Sequence, residues 1–319
     1  LKKQLAKLSA IVITAVLVAI LLSQINIGDV AETLASIEPI YLIIGFILYL
    51  CSYFFRALRF HILLNNKVRI KSLFKIICVH NMANNILPAR TGEISYVYLS
   101  KKVYDIPTGD GIASLMIARL FDFITISFLF FVSAIFVGDL PDVIGKAVWI
   151  IAGFMILVLL IQTALVYFDE MFLNVVTKIF NKVGIGHIEV IKYLLRKARE
   201  TRASFSIINS KQVILVGIAS VLVWFCNYSM SYILIKEMGI GLPIWEILIG
   251  LTFSVFASIL PIRGICGFGT GEGVWTIVFM SLGVPKQLAI ATGFGFHILQ
   301  LVYILVIGVY GLFTAKFKI

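Results

Sequence analysis

Pro88, Arg90, Gly92 and Glu93 stand close together in the stretch NNILPARTGE, directly after an apolar run. The same combination returns near the C-terminus in SILPIRGICGFGTGE, where Pro261 and Arg263 are followed by Glu272. One common offset lays Pro88 on Pro261 and Arg90 on Arg263. The stretch Gly264 to Gly269 then intervenes before Thr91-Gly92-Glu93 meets Thr270-Gly271-Glu272. Downstream, Pro107 meets Pro285, and the apolar run holding Arg119 and Asp122 meets the run holding His297 and Gln300. The chain therefore carries an internal repeat. A guanidinium stays charged and presents a planar fork of donors that matches phosphate. A neighbouring carboxylate can orient that fork, or take up and release a proton.

Each of these residues also has a plainer reading. Arg119 and Asp122 are three apart, so on a helix they share a face and can neutralise each other as a packing device. Gly264, Gly267, Gly269, Gly271 and Gly273 resemble a phosphate-cradling loop, but no G-K-[ST] follows and no strand precedes them. They fit either close backbone packing in a membrane or an anion-binding nest of N–H groups before Glu272. His80 and His297 read as lone, hydrogen-bonded packing residues. No His, Cys and carboxylate cluster has metal-ligand spacing, so no metal and no cofactor are expected. No nucleophile–base pair stands out, which argues against an enzyme.

The composition places these residues in a membrane. Apolar residues make up 61% of the 319 and charged ones 13%, with a mean hydropathy of +1.04, against about 45–50% and about 25% in soluble domains. Several runs approach the roughly 20 apolar residues that a bilayer crossing requires. The net charge of +11 sits in short loops beside those runs. That is the positive-inside pattern and not a nucleic-acid-binding stripe. Cys51, Cys78, Cys226 and Cys266 lie mostly in or beside apolar runs and read as small buried hydrophobes.

Charge asymmetry then sets an expected topology. Lys2, Lys3 and Lys7 hold the N-terminus in the cytoplasm before a first crossing, Leu8 to Leu22. Ser23 to Glu38, with acids and no basic residue, lies outside. A second crossing from Pro39 to about Phe55 leads to an inner loop with Arg56, Arg59, Lys67, Arg69 and Lys71. Ser72 to Ser100 is apolar but interrupted, and reads as a re-entrant hairpin with its tip near Asn84, Asn85, Pro88 and Gly92. Ile112 to Val137 crosses outward, Gly138 to Lys146 forms an outer loop, and Ala147 to Phe168 crosses back. Asp169 to Lys211 is a cytoplasmic segment whose Ile188, Ile191, Leu194, Leu195 and Ala198 recur at helical spacing, as in an amphipathic surface helix. Gln212 to Ile235 crosses outward. A second hairpin, Ile244 to Leu282, has its tip at Pro261, Gly264, Gly267 and Gly269. A crossing from Pro285 to Ala315 returns the C-terminus to the cytoplasm.

The expected fold is an all-α polytopic membrane domain over residues 1–319, with six spanning helices and two re-entrant hairpins. Residues 39–137 form the first repeat, 169–211 the cytoplasmic segment and 212–315 the second repeat. The helices leading into the two hairpins run in opposite directions, so the repeats are inverted, a recurring plan of secondary transporters. Interrupted helices leave free N–H and C=O groups that only a polar cavity or protein packing can satisfy. On this plan Arg90, Arg263 and Arg119 are the candidate lipid-phosphate contacts. Glu93, Glu272 and Asp122 are the candidates for gating or coupling.

Three motifs in this order, P-x-R-x-G-E (Pro88 to Glu93), R-x-x-D (Arg119, Asp122) and P-x-x-G-x-x-G-x-G-x-x-E (Pro261 to Glu272), resemble the lysylphosphatidylglycerol synthase transmembrane family. That family includes the flippase-like region of the multiple peptide resistance factor, and related regions are fused to archaeal glycosyltransferases. The resemblance covers almost the whole chain. It implies movement of a phospholipid or polyprenyl-phosphate-linked lipid between leaflets of the cell membrane, with those lipids as ligands. It further implies that the soluble aminoacyl-transferase domain is missing here, so that a separate transferase is a conceivable partner. Where family members often carry a further basic residue after the first glutamate, this chain has Tyr96 and Tyr98. Two other functions fit the same inverted repeats: an ion- or proton-coupled small-solute transporter, and the membrane subunit of a lipid-modifying transferase.

Overall fold

The computed structural model describes residues 27–87, 92–137, 145–146, 148–150, 152–157, 160, 170–182, 209–259 and 268–314. Every regular element among them is a helix: α1 Ile27–Ala35, α2 Pro39–Leu63, α3 Ile70–Ile86, α4 Glu93–Tyr104, α5 Thr108–Phe136, α6 Glu170–Lys182, α7 Ser210–Glu237, α8 Ile244–Ile259, α9 Thr270–Ser281 and α10 Lys286–Thr314. Four of these, α2, α5, α7 and α10, are long and apolar enough to cross a membrane. The expected crossing at Leu8 to Leu22, and most of that at Ala147 to Phe168, lie outside the described residues.

Local chemistry sets the helix ends. Pro39 occupies the first turn of α2, where its missing N–H costs nothing and its fixed φ suits a helix. α3 stops at Leu87, which is extended at ψ 137, the conformation that a following proline enforces. Asn209 and Gln212 cap α7 reciprocally, with each backbone N–H donating to the other's side-chain oxygen at 2.9 and 3.0 Å.

Helix α1 lies within Ser23 to Glu38. One expectation is corrected here. The second crossing does not end near Phe55: α2 runs to Leu63 and takes Arg56 and Arg59 with it. The two arginines looked like loop charges, yet Arg59 is only 1% exposed. It stays in the helix because a buried carboxylate faces it.

Two runs of four helices share a pattern of lengths. Helices α2 to α5 have 25, 17, 12 and 29 residues, and α7 to α10 have 28, 16, 12 and 29. The pattern of packed pairs within this set is unchanged when α2–α5 are exchanged for α7–α10. Thus α2 packs on α7, α3 on α10, and α8 on α5. Asp105 at φ 54 and Gly283 at φ 92 hold equivalent places, each turning the chain out of a 12-residue helix towards a proline. The central pair is antiparallel. At one end Gln212 Nε2 donates to Ile62 O and Asn65 Oδ1; at the other, Ser36 Oγ donates to Glu237 O.

Outward faces carry apolar side chains at helical spacing, among them Ile40, Ile43, Ile47, Leu50 and Phe54 on α2 and Ile214, Ile218, Val221 and Phe225 on α7. That arrangement suits hydrocarbon surroundings, and the chain is a membrane protein. Inside, small residues bring helices close. A Cβ on Gly311 would stand 2.6 Å from Cys78 Cβ, and one on Gly308 2.5 Å from Met82 Cβ, so α10 and α3 approach as closely as glycine allows.

Candidate functional site

A cavity of about 250 Å³ lies between the two halves. Its wall includes Arg56 from α2, Asn81, Asn84 and Asn85 from α3, Arg119 and Asp122 from α5, and Asn227 and Tyr228 from α7. From the other side come Ser254 on α8, Glu272 and Trp275 on α9, and His297 and Gln300 on α10. The fold therefore gathers Arg119, Asp122 and Glu272 of the charged side chains that the sequence singled out. Arg90, Arg263, Pro88, Pro261, Gly264 and Gly267 lie outside the described residues.

Asp122 is the hub of the first half. Its Oδ1 accepts from Arg59 Nη1 at 2.7 Å and from Trp224 Nε1 at 2.9 Å, and its Oδ2 from Arg59 Nη2 and Arg119 Nη1, both at 3.3 Å. Arg59 Nη1 donates further to Ser220 Oγ at 3.0 Å. Asp122 is 3% exposed. A lone charge in the middle of a spanning helix costs roughly 2.5–3.5 kcal/mol on insertion scales, and the pairing of Asp122 with both Nη atoms of Arg59 offsets that cost, while Arg59 Nε is left without a partner. The lock joins α2, α5 and α7, so it ties the first half to the second. The sequence paired Asp122 with Arg119 alone.

Arg119 continues the chain of charges. Its Nη2 donates to Glu93 Oε1 at 2.5 Å, and Asn84 Nδ2 donates to the same oxygen at 3.3 Å. Glu93 stands in the first turn of α4, where the helix dipole favours an anion. Gly92 brings it there, since a Cβ at Gly92 would collide with the backbone of Ala83 and Asn84. Only glycine lets the two arms of this turn meet so closely. His80 has its Nδ1 3.2 Å from Gly92 O and from Ser95 Oγ, but its Nε2 lies 3.9 Å from Glu93 Oε2, so it is not a lone packing residue.

The second half repeats this with one exchange. Glu272, 1% exposed, accepts from Gly269 N–H on Oε2 at 2.7 Å, and its Oε1 is bonded to His297 Nδ1. Gly269 has φ +91, a left-handed conformation that favours glycine. His297 is therefore not a lone packing residue. The repeat itself held the signal: Glu272 stands where Glu93 stands and His297 where Arg119 stands, so one pair implies the other. Phe268 covers the imidazole at 4.5 Å between ring centroids.

Arg56 differs in its ion pairing. It lines the cavity, its Nε, like that of Arg59, is buried without a hydrogen-bond partner, and no carboxylate of the described residues forms an ion pair with it. Among the described residues no group of three or more His, Cys, Asp and Glu side chains is placed to hold a metal ion.

Comparison with known proteins places this arrangement. The family described as "Lysylphosphatidylglycerol synthase TM region" matches residues 7–308. A "UPF0104 membrane protein" of Methanothermobacter thermautotrophicus is 24% identical over 290 residues, covering 83% of this chain and 80% of that protein. No solved structure gives a significant match.

Proposed function

We propose that this chain, which belongs to the lysylphosphatidylglycerol synthase transmembrane family, moves a phospholipid or polyprenyl-phosphate-linked lipid between the leaflets of the cell membrane. The observation that carries this reading is the polar cavity walled by both halves of a bundle whose outer faces are apolar. At about 250 Å³ it falls below the usual range for a site enclosing a whole drug-sized ligand, about 300–1,000 Å³. It is of a size for a headgroup whose tails stay in the bilayer.

On this reading the halves are inverted repeats. The antiparallel α2 and α7, equivalent by helix order and packing, support that relation. The α3–α4 and α8–α9 pairs act as re-entrant hairpins. At about 1.5 Å per residue, 17 and 12 residues reach only about 25 and 18 Å, short of the roughly 30 Å hydrocarbon core. With both termini cytoplasmic, the first hairpin enters from inside and the second from outside. Exchange of roles between the halves then opens the cavity to each face in turn. Glu93–Arg119 and Glu272–His297 are the contacts that must loosen. The chain works as a transporter and not as an enzyme, and any lipid-modifying transferase acts as a separate partner.

Purified protein in liposomes should accelerate the exposure of a fluorescent anionic phospholipid to an external quencher, and Arg119→Ala should slow it. Failure to move any phospholipid or polyprenyl-phosphate lipid would remove this reading.

The Glu272–His297 pair favours a second reading, a proton-coupled carrier of a small solute. It requires uptake that follows an imposed pH gradient and stops in Glu272→Gln.

A further inference from the structure

Arg56 and Arg59 lie three residues apart on α2, so they share a side of the helix, yet their surroundings are opposite. Arg59 is enclosed and both its Nη atoms are bonded to Asp122. Arg56 faces the cavity with no ion-pair partner among the described residues. The carboxylates of this region are already engaged. Asp122 accepts from Arg59, Arg119 and Trp224, Glu93 accepts from Arg119 and Asn84, and Glu272 is held by His297 and Gly269. Burying a cation is costly unless an anion compensates it. The same cavity wall carries the amides of Asn81 and Asn227 and the hydroxyl of Tyr228, with Asn227 Nδ2 donating to Val223 O and the Tyr228 hydroxyl bonded to Thr252 Oγ1; these groups can hydrogen-bond an anion but cannot neutralise a guanidinium.

We infer that Arg56 is the anion-binding group of the cavity and that its ligand bears a phosphate or a similar oxyanion. The fork of a guanidinium grips two oxygens of such a group at once. That the oxyanion belongs to a lipid headgroup rests on the transport reading above; the anion site itself does not. The inference shifts weight away from Arg119, whose donors already serve Glu93 and Asp122.

The test measures binding and not movement. The full chain is placed in nanodiscs of zwitterionic lipid, and tryptophan fluorescence is followed, since Trp224 and Trp275 both line the cavity. The titrants are short-chain phosphatidylglycerol, the matching diacylglycerol and inorganic phosphate. Phosphatidylglycerol should give a saturable change and diacylglycerol none. Arg56→Met should weaken binding about tenfold or more, the usual consequence of losing a charge-assisted pair. The same variant should melt no lower than the wild type without ligand, because Arg56 Nε has no hydrogen-bond partner to lose and methionine keeps the apolar stem. Saturation by phosphate as well as phosphatidylglycerol marks a site for the free anion; saturation by the lipid alone marks a headgroup site that needs its tails.

Wild-type affinity in Arg56→Met overturns the inference. So does a loss of affinity accompanied by a lowered melting temperature, which makes Arg56 a packing residue. Arg56-dependent binding without any lipid movement retires the transport reading and keeps the anion site. Lipid movement that survives Arg56→Met does the reverse.

Discussion

The two halves of the cavity place acid–base pairs at equivalent positions but fill them differently. In the first half Glu93 meets Arg119, and Asp122 is clamped by Arg59, Arg119 and Trp224. In the second, Glu272 meets His297, and Gln300 stands at the position of Asp122. The first half pairs its carboxylates with guanidinium groups, which stay charged. The second pairs its glutamate with an imidazole, and has a neutral amide where the first has an acid. A shared plan is thus filled with different chemistry in its two halves: an ion-pair network across three helices in one, and a single carboxylate–imidazole contact in the other.

The comparison is broken most severely at its hub. Asp122→Asn strands Arg59 without its counter-charge, and removing one member of a buried ion pair typically costs about 3–5 kcal/mol. The matching change in the other half, Gln300→Ala, should cost less than about 1 kcal/mol. Thermal unfolding of the two variants in the same detergent checks both. Comparable losses would mean that the halves do not differ as described.

A second contrast lies in the packing of α10 and α5. Gly308 of α10 sits against Met82 of α3, whereas its counterpart Phe130 of α5 packs against Phe253 of α8 at 6.2 Å between centroids. Gly308→Val overfills the close contact and should cost about 1–3 kcal/mol. Phe130→Val leaves a cavity instead and should cost a similar amount or more, about 2–4 kcal/mol. Unfolding midpoints decide the order.

A third change sharpens the contrast by erasing it. His297→Arg gives the second half the fixed pair of the first. The protein should still fold, because a guanidinium can donate to the same glutamate oxygen, whereas His297→Ala should lower the unfolding midpoint by leaving the buried Glu272 without that donor. Equal losses in the two variants would mean that the contact does not depend on a donor at this position. The smallest effect belongs to Gln212, which caps its own helix and reaches the end of α2. Gln212→Ala should lower stability by about 0.5–2 kcal/mol, with lipid movement unchanged.

The spans at α5, α7 and α10 and the break before Pro88 were legible because they rest on local signals: apolar runs, proline and flanking charge. Arg56 and Arg59 were not. Two arginines after an apolar run look like the inner end of a crossing, and the carboxylate that draws Arg59 into the helix lies 63 residues away. The pairing of Arg119 with Glu93 was hidden for the same reason, whereas its near neighbour Asp122 advertised itself by helical spacing. His297 was within reach. The repeat laid it on Arg119, and only its isolation in sequence made it look inert. Arg90 and Arg263, with Pro88, Pro261, Gly264 and Gly267, remain expectations from the repeat.

The central claim is that the cavity between the halves opens to both faces of the membrane. The direct measurement places a single cysteine in its wall by Asn227→Cys, in a chain whose own cysteines are replaced, and exposes sealed vesicles of known orientation to a membrane-impermeant thiol reagent from each side. The account predicts labelling from either side, with added phosphatidylglycerol slowing both. Labelling from one side alone, or from neither, would contradict it.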